Sequence, residues 1–190
     1  MLLTKTVETD EELLQILELQ QLYLAGHTSR EEEQEQGFVT VEHNFEKLKL
    51  LHALFPSVIV KDNDRVIGYA LILLPEAGGM FPELISLFQT LEQLYYRERP
   101  LYTYRYYVMG QVCIHKNYRG RGVFELLYQK HKELLQNRYD FVVTSVATRN
   151  TRSIRAHEKT GFKTIHRFMD DHEDWLVILW DWRAPDKGAR

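Results

Sequence analysis

The sequence predicts a mixed α/β (α+β) fold, in which helices flank a mostly antiparallel sheet of six to seven strands. Three observations support this prediction. Two pairs of strand-like segments are joined by short turns, as in antiparallel hairpins. Between these hairpins, a helix connects two further strand-like segments, as in a crossover connection. The chain of 190 residues has the length of one domain, so we expect residues 1–190 to fold together.

The first part of the chain predicts one strand and two helices. Residues 2–7 form a short strand-like segment. Thr9 then offers an N-cap oxygen before a helix whose apolar residues continue to about Leu24. A second helix is predicted over residues 44–54 and stops before Pro56, because proline disfavours a helical conformation at the preceding residue.

A hairpin, a helix and a strand are predicted next. The segments SVIVKD and RVIGYALILLP are rich in β-branched and apolar residues, and the turn residues Asp62, Asn63 and Asp64 join them. Leucines at helical spacing predict a helix over residues 82–96. Residues 101–115 predict a strand. Its N-terminal half is crowded with tyrosines, namely Tyr102, Tyr104, Tyr106 and Tyr107.

The last third of the chain alternates helices and strands. Apolar residues at helical spacing predict a helix over residues 122–137. The segment FVVTSVA at residues 141–147 is almost continuously apolar, as is typical of a central strand that is covered on both faces. A short helix over residues 152–160 ends at Gly161, a residue that suits a helix C-terminus. The segments KTIHRFM and DWLVILWDW predict a final hairpin around residues 170–174.

The composition excludes several classes of protein. A net charge of −3 gives no broad basic surface for nucleic acid. No apolar run reaches the length of a membrane span, and the N-terminus lacks the basic and apolar regions of a secretion signal. Cys113 is the single cysteine, so no disulfide forms within the chain. We therefore expect a cytoplasmic monomer or homodimer without nucleic-acid or membrane partners.

The loop that precedes the predicted helix 122–137 combines glycine with positive charge. It reads Arg119-Gly120-Arg121-Gly122. A helix N-terminus presents unpaired N–H groups and the positive end of its dipole, and glycine lets phosphate oxygens approach the backbone closely. The loop therefore predicts a phosphate site, although a tight strand-to-helix turn would use the same residues. It matches neither the G-x-G-x-x-G pattern nor the P-loop pattern.

This loop resembles the pyrophosphate loop of the GNAT family, the GCN5-related N-acetyltransferases. That loop reads Q/R-x-x-G-x-G/A between a strand and a helix. Here it continues through Val123 to Phe124, a bulky residue at the position of a small one. A second block, NTRSIRAHEKTGF, is similar to the family segment that ends in Y-E-K-x-G-F. In this block Asn150 is followed seven residues later by His157, where the family commonly has a tyrosine.

The resemblance implies an acyl-CoA N-acyltransferase-like fold that uses acetyl-CoA as co-substrate and needs no metal. It covers roughly residues 57–182, which would form the core sheet and the coenzyme site. Residues 1–56 would form variable helices on the acceptor side. In the family, main-chain groups of the strand before the loop bind the pantetheine arm, and the loop binds the pyrophosphate. The implied cofactor-binding residues are Val112, Cys113, Ile114, Arg119, Gly120, Arg121, Gly122, Val123, Phe124, Asn150 and His157.

The resemblance also implies direct attack of a primary amine on the thioester of acetyl-CoA, with a small molecule or a peptide as the acceptor. The reaction needs a neutral amine, a polarised carbonyl group and a proton for the departing thiolate. His157 occupies the position of the family's general acid, and an imidazole can also protonate a thiolate. Alternatively, His157 is a hydrogen-bonded helix residue or a coenzyme contact.

The general base is not evident from the sequence. Many relatives carry a glutamate at one of two positions, where this chain has Gln111 and Ser145. Gln111 cannot accept a proton at neutral pH, but its amide can orient a water or the acceptor. Glu76 and His115 are remote candidates for the base, and an amine that arrives partly neutral, with water taking the proton, is the simpler route. Cys113 is expected to be a small packed residue and not a nucleophile.

The sequence determines the acceptor side least. The polar stretch 27–37 is expected to be a solvated loop or a frayed helix, and its acidic residues 31–35 would attract a cationic amine or a basic peptide. Most of the four tyrosines are expected to be packing residues. Two alternative functions stay open: acyl-CoA binding as a sensor or scaffold without turnover, and acyl transfer to a non-amine acceptor. The segment WLVILWDW completes the sheet within one chain or pairs across a dimer.

Overall fold

The computed structural model describes residues 1–25, 27, 33, 37–171 and 173–183. The strands within these residues are β1 (Leu2–Thr6), β2 (Val58–Asp62), β3 (Arg65–Leu73), β4 (Tyr95–Tyr96), β5 (Arg99–Pro100), β6 (Tyr106–Ile114), β7 (Phe141–Ala147), β8 (Lys163–Met169) and β9 (Asp174–Asp181). The α-helices are α1 (Asp10–Gln21), α2 (Phe45–Leu54), α3 (Ile85–Gln93), α4 (Val123–Leu135) and α5 (Thr151–Thr160).

Seven of the strands form one sheet in the order β1-β2-β3-β6-β7-β9-β8, and β4 and β5 form a separate small hairpin. All neighbouring pairs in the large sheet are antiparallel except β6 and β7, which run parallel and are connected through α4. The predicted mixed, mostly antiparallel sheet is therefore confirmed. Because β9 lies between β7 and β8, the segment WLVILWDW completes the sheet within the chain.

Helices cover the sheet on two faces. Face A carries α1, α2 and α3, whose leucines pack on side chains such as Tyr69, Leu71 and Val143. Face B carries α4 and α5, which pack on side chains such as Tyr107 and Val142. Successive residues of β6 and β7 alternate between these two clusters, as expected for strands buried on both faces.

Two capping hydrogen bonds and one left-handed glycine mark three of the predicted helix ends. The Thr9 hydroxyl accepts from the Glu12 N–H at 3.3 Å at the start of α1. The Asn44 side chain accepts from the Lys47 N–H at 2.9 Å at the start of α2. Gly161 ends α5 in the left-handed region, with φ = 112°. These caps confirm the predicted starts of both helices and the predicted end of α5.

The connection between β3 and β6 differs from its prediction. Instead of one helix over residues 82–96, it contains a 3₁₀ turn at Pro82–Leu84, then α3, and then the hairpin of β4 and β5. The hairpin turns at Arg97 and Glu98, whose φ values of 47° and 64° are positive. The sequence hid this turn because it contains neither the glycine nor the asparagine that usually marks one.

Two smaller differences concern the ends of elements. The first helix ends at Gln21 and not at about Leu24, because Leu24 instead forms a parallel bridge with Val39. The strand predicted within residues 101–115 begins only at Tyr106, so Tyr102 and Tyr104 precede it. Among the described residues, no helix combines the length and apolar character needed to cross a membrane.

Candidate functional site

The site begins where the parallel strands β6 and β7 separate. Their pairing ends at Val108 with Val143, although β6 continues to Ile114. Just beyond this point the Thr144 hydroxyl donates to the Met109 carbonyl oxygen at 2.8 Å. Among the described strands, none pairs with this edge of β6 beyond the separation, so its main-chain groups are available to a ligand.

The gap opens into a cleft of about 590 Å³, a volume typical of small-molecule sites. The cleft lies between the end of β6, the basic loop, α5 and residues 37–39. Of the predicted coenzyme-binding residues, those that line it are Val112, Cys113, Ile114, Arg119, Gly120, Gly122, Val123, Phe124 and Asn150. Arg121, His157 and Gln111 are not among the lining residues.

The basic loop has a backbone conformation that requires glycine. Gly120 and Gly122 have φ values of 73° and 79°, in the left-handed region. A Cβ added at either residue would meet nothing within 4 Å, so the backbone angle and not the available space selects glycine. Gly122 is the N-cap of α4, and no side chain caps this helix. The first N–H groups of α4 therefore form a site for an anion at one end of the cleft.

The two arginines of the loop have different surroundings. Arg119 lines the cleft, where its Nε donates to the Ile114 carbonyl oxygen at 2.8 Å. Its guanidinium group also lies 4.3 Å from the centre of the Tyr23 ring. Arg121 instead lies over the ring of Tyr118 at 5.7 Å. Of the two positive charges of the loop, that of Arg119 therefore lies in the wall of the cleft and that of Arg121 does not.

Helix α5 adds positive charge to the opposite wall. Arg152, Arg155 and Lys159 line the cleft and share one side of the helix because they are three and four residues apart. Within the described part of the chain, Arg155 and Lys159 form no ion pair. The cleft thus combines an uncapped helix N-terminus with several cations, an arrangement that suits a ligand with more than one phosphate group.

Asn150 connects α5 to the segment 37–43. Its Oδ1 accepts from the Ser153 N–H at 3.2 Å and caps the helix, while its Nδ2 donates to the Phe38 carbonyl oxygen at 3.1 Å. Gly37 packs so closely that an added Cβ would lie 3.1 Å from the Asn150 Oδ1. Asn150 therefore lies in the cleft wall, and its amide is bonded within the protein.

The segment 37–43 forms a fixed wall of the site. A parallel bridge joins Leu24 to Val39. The Gln20 side chain accepts from the His43 N–H and donates to the His43 carbonyl oxygen, each at 3.0 Å. These contacts hold the segment to α1 independently of any ligand.

His157 lies in the core and not in the cleft. The residue is only 1% exposed. The Nδ1–H donates to the Ser153 carbonyl oxygen at 2.8 Å, so Nε2 accepts from the Tyr128 hydroxyl at 2.6 Å. The rings of Phe124 and Phe162 contact it edge-on at 4.9 Å. Burial lowers the pKa of His157 to about 4, so the ring is neutral at pH 7 with both nitrogens bonded.

Gln111 is also bonded at both ends of its amide. Its Oε1 accepts from the Tyr69 hydroxyl at 2.5 Å, and its Nε2 donates to the Val41 carbonyl oxygen at 2.7 Å. The residue is buried on face A. Gln111 therefore attaches the segment 37–43 to β6, next to the gap between the parallel strands.

Cys113 lines the cleft as a neutral thiol. It is buried, and burial raises its pKa to about 12. The reactive form of a cysteine nucleophile is the thiolate. A thiol with this pKa carries almost no thiolate at pH 7. The environment of Cys113 is therefore that of a packed residue.

The two remote candidates for a base, Glu76 and His115, are not among the residues that line the cleft. Glu76 is exposed on the 3₁₀ turn Pro75–Met80. Ser145, at the second position where relatives carry a glutamate, is half-buried on β7. His115 follows β6, and its Nδ1 accepts from the Asn117 N–H at 3.3 Å. Of the described lining residues, only Glu125 carries a carboxylate.

The acidic stretch and the tyrosines also have defined surroundings. Residues 31, 32, 34 and 35 lie outside the described part of the chain. Glu33 is buried and pairs with Arg149, so its charge is already balanced inside the protein. Tyr102 is exposed, whereas the other three tyrosines of the group pack against neighbouring rings.

Sequence reasoning missed His43. This residue is 5% exposed, and neither ring nitrogen has a hydrogen-bond partner among the described residues. Its ring contacts Phe81 edge-on at 5.6 Å, and burial together with the charge of Lys47 lowers its pKa to about 4. No sequence signal marks it, because one histidine in a polar stretch is usually exposed.

The sequence matches the acetyltransferase (GNAT) family over residues 14–162. A search of the curated proteins finds no matching sequence. The family match includes β6, the basic loop, α4, β7 and α5. The elements that form the cleft are therefore those that the family shares.

Solved structures share the fold at low sequence identity. The ribosomal-protein-S18-alanine N-acetyltransferase from Escherichia coli is 11% identical, with a TM-score of 0.61 over 100% of this chain and 99% of that chain. A chain of the NatC complex bound to Gag peptide and CoA is 13% identical, with a TM-score of 0.64 over 96% of this chain and 99% of that chain. YncA from Salmonella typhimurium, solved with its cofactor acetyl-CoA, is 14% identical, with a TM-score of 0.60 over 98% of this chain and 99% of that chain.

The fold, the separated parallel strands and the glycine loop agree with the sequence match. That match covers most of the chain. The protein therefore belongs to the GNAT family of acetyltransferases.

Proposed function

We propose that the protein transfers the acetyl group of acetyl-CoA to a primary amine by direct attack. The observation that carries the proposal is the cleft between β6 and β7, which ends at the uncapped N-terminus of α4. One end of this cleft suits a pyrophosphate, and the separated edge of β6 suits an amide-containing arm. The YncA structure, which has the same fold, contains acetyl-CoA.

In this proposal, the coenzyme lies along the cleft in one direction. The pyrophosphate accepts hydrogen bonds from the first N–H groups of α4, at Val123 and Phe124, and is balanced by Arg119. Arg155 and Lys159 approach the phosphorylated ribose from α5. The pantetheine arm pairs with main-chain groups next to Cys113, which places the thioester where the two strands begin to separate.

The chemical step needs few side chains. The amine nitrogen attacks the thioester carbonyl carbon, the C–N bond forms, and the C–S bond breaks as the thiolate leaves. The nitrogen loses a proton and the thiolate gains one, so water can connect the two. Since His157 and Gln111 are bonded within the protein, we propose that both position the walls of the site and that water carries the proton.

Binding of acetyl-CoA tests the donor half of the proposal. Replacing Gly122 by valine puts a β-branched side chain at a φ of 79°, so the loop must change its conformation. We expect Gly122→Val to weaken acetyl-CoA binding at least tenfold in a thermal-shift titration. Gly79→Val is the matched control, because a Cβ at Gly79 meets nothing within 4 Å and the residue is outside the cleft. Equal binding by both variants contradicts the assignment of the loop.

Release of free thiol tests the transfer step. The acceptor panel contains polyamines, amino acids, aminoglycosides and peptides with a free α-amine. We expect thiol release above the hydrolysis background with at least one amine. Binding of acetyl-CoA without release across the panel supports the alternative, a sensor or scaffold that binds acyl-CoA. The scarcity of carboxylates among the described lining residues is the observation that favours this alternative.

A hydroxyl acceptor is the third possibility. Attack by an alcohol needs a stronger base than attack by a neutral amine, and Glu125 is the one described carboxylate of the cleft. Product analysis by mass spectrometry after hydroxylamine treatment separates the two outcomes, because hydroxylamine cleaves an ester and leaves an amide intact.

The cytoplasm, where we expect the protein, supplies both acetyl-CoA and amine acceptors.

A further inference from the structure

Tyr23 lies two residues after the end of α1, at a point where several parts of the cleft wall meet. The residue is 8% exposed and lines the cleft. Its main chain contacts the segment 37–43, whereas its side chain contacts the turn and the basic loop that follow β6. One residue therefore connects three segments that are far apart in the sequence.

The main chain at Tyr23 is fixed by the segment 37–43. The Tyr23 carbonyl oxygen accepts from the Val39 N–H at 2.9 Å, and the Ala25 N–H donates to the Val39 carbonyl oxygen at 2.8 Å. These two hydrogen bonds flank Leu24, which forms the parallel bridge with Val39. The side chain of Tyr23 therefore extends from a backbone whose position is already defined.

The hydroxyl group of Tyr23 holds the turn that precedes the basic loop. It accepts from the Lys116 N–H at 2.7 Å. Lys116 is the first residue of the 3₁₀ turn Lys116–Tyr118, which lies directly before Arg119. The first N–H groups of such a turn have no partner within it, so an acceptor from elsewhere satisfies them. The hydroxyl group thus fixes the turn at the point where the chain leaves β6.

The ring of Tyr23 supports the guanidinium group of Arg119. The guanidinium group lies 4.3 Å from the centre of the ring, within the range of a cation–π contact. Its Nε also donates to the Ile114 carbonyl oxygen at 2.8 Å. These two contacts limit the directions that the Arg119 side chain can take. A long side chain that is held in this way loses less conformational entropy when it binds a ligand.

Arg119 lies near a second cation of the cleft wall. Burial lowers the pKa of the Arg119 guanidinium group, and the charge of Arg152 lowers it further. Both arginines line the cleft, Arg119 from the basic loop and Arg152 from α5. A negatively charged group between them would offset their repulsion. The position in which Tyr23 holds Arg119 therefore suits a bound anion.

We propose that Tyr23 is a positioning residue for the pyrophosphate of the coenzyme, because its ring and its hydroxyl group hold Arg119 and the basic loop in the conformation that binds it. The inference rests on the proposed function, since it assigns a role within the coenzyme site of that proposal. Tyr23 acts through Arg119 and the turn and not on the reacting atoms. Its loss is therefore expected to weaken ligands that carry a pyrophosphate and to spare a ligand without one.

Three ligands test this selectivity with the variant Tyr23→Leu. They are CoA, dephospho-CoA, which keeps the pyrophosphate but lacks the 3′-phosphate, and pantetheine, which has no phosphate. Dissociation constants are measured by NMR titration of the folded protein. We expect Tyr23→Leu to weaken CoA and dephospho-CoA at least about tenfold and pantetheine less than about twofold. Unchanged binding of CoA overturns the proposal, and so does equal weakening of all three ligands.

Tyr139→Leu is the matched control. Tyr139 is 9% exposed and has the Arg138 guanidinium group over its ring at 5.7 Å, but it does not line the cleft. We expect this variant to bind CoA as the wild type does. Tyr23→Phe keeps the ring and loses the bond to the Lys116 N–H, so it is expected to weaken CoA less than Tyr23→Leu does. It replaces Tyr23→Leu if melting temperatures show that the leucine variant misfolds.

A double-mutant cycle tests whether Tyr23 acts through Arg119. Tyr23→Leu is combined with Arg119→Gln, which removes the positive charge from the ring contact. Because both changes remove the same contact, we expect Tyr23→Leu to weaken CoA binding much less in the Arg119→Gln background than in the wild type. Additive effects of the two substitutions on CoA binding overturn the proposal.

The two proposals fail in different ways, because the binding measurements need no acetyl transfer. If Tyr23→Leu selectively weakens the ligands with a pyrophosphate but no acetyl group is transferred to any amine, the role of Tyr23 stands and the proposed function fails. If amines are acetylated and Tyr23→Leu binds CoA as the wild type does, the proposed function stands and the role of Tyr23 fails.

Discussion

His157 and Gln111, the two polar side chains that the motif singles out for chemistry, are used inside the protein. His157 receives a hydrogen bond from Tyr128 and donates one to the Ser153 carbonyl oxygen. Gln111 connects Tyr69 to the Val41 carbonyl oxygen. Each bond satisfies a buried polar group, so turning either side chain into the cleft would leave its partners unsatisfied.

The role of His157 is testable by comparison with a second buried histidine. His157→Ala creates a cavity and leaves the Tyr128 hydroxyl without its partner, which costs about 2–4 kcal/mol of unfolding free energy. His131→Ala is the control, because His131 is equally buried and bonds to the Tyr107 hydroxyl at 2.9 Å. We expect both variants to lose stability and to keep kcat for thiol release within about threefold when assayed folded. A fall in kcat of more than about thirtyfold in His157→Ala alone identifies it as the general acid.

At the scale of the element, α5 joins the cleft beside the glycine loop to the rest of the sheet. Its first residue follows Asn150, which caps the helix and holds Phe38, while its last turn ends at Gly161 against Trp180. The side chains between these ends face both ways, with His157 in the core and Arg155 in the cleft. A change in the position of α5 is therefore expected to alter the cleft and the core together.

At Gly161, which follows the last residue of α5, a substitution is costly for two reasons. An added Cβ would lie 2.9 Å from the Trp180 Nε1, and φ is 112°. We expect Gly161→Ala to lower the unfolding free energy by about 2–4 kcal/mol, because it combines a strained backbone with a steric clash. Gly79→Ala is the control, since its Cβ meets nothing within 4 Å. The urea midpoints of the two variants measure the difference, and equal midpoints contradict the explanation.

At the scale of the whole molecule, three histidines that are buried within the described part of the chain make the fold sensitive to acid. Burial lowers the pKa values of His43, His131 and His157 to about 4. The unfolded chain binds protons at these residues near pH 6.5, whereas the folded protein binds them only near pH 4. Their contribution to stability is therefore present above pH 6.5 and is lost as the pH falls towards 4.

Urea unfolding between pH 7.5 and pH 5 measures this effect. We expect the unfolding free energy to fall by about 2 kcal/mol for each of the three histidines over this range. An unfolding free energy that stays constant between these pH values contradicts the lowered pKa values.

Much of the fold was predictable because hydrophobic patterns and turn residues indicate strands and helices directly. The hairpin at Arg97 and Glu98 was not, since its turn residues are not those that usually adopt positive φ. The conformation of the basic loop was predictable from Gly120 and Gly122, because its left-handed backbone angles favour glycine. The position of His157 was not, because the spacing that aligns it with a family motif does not say which way its ring turns.

The sequence by itself determined most of the strands, the helix caps and the glycine loop, since these depend on residues within a few positions of one another. The Thr9 cap and the φ of Gly122 are examples. Only the tertiary structure decided that Gln111 bonds to Val41 and that Tyr23 contacts Lys116 and Arg119. These features join residues far apart in the chain, and the partner of a side chain depends on which elements the folded core brings together.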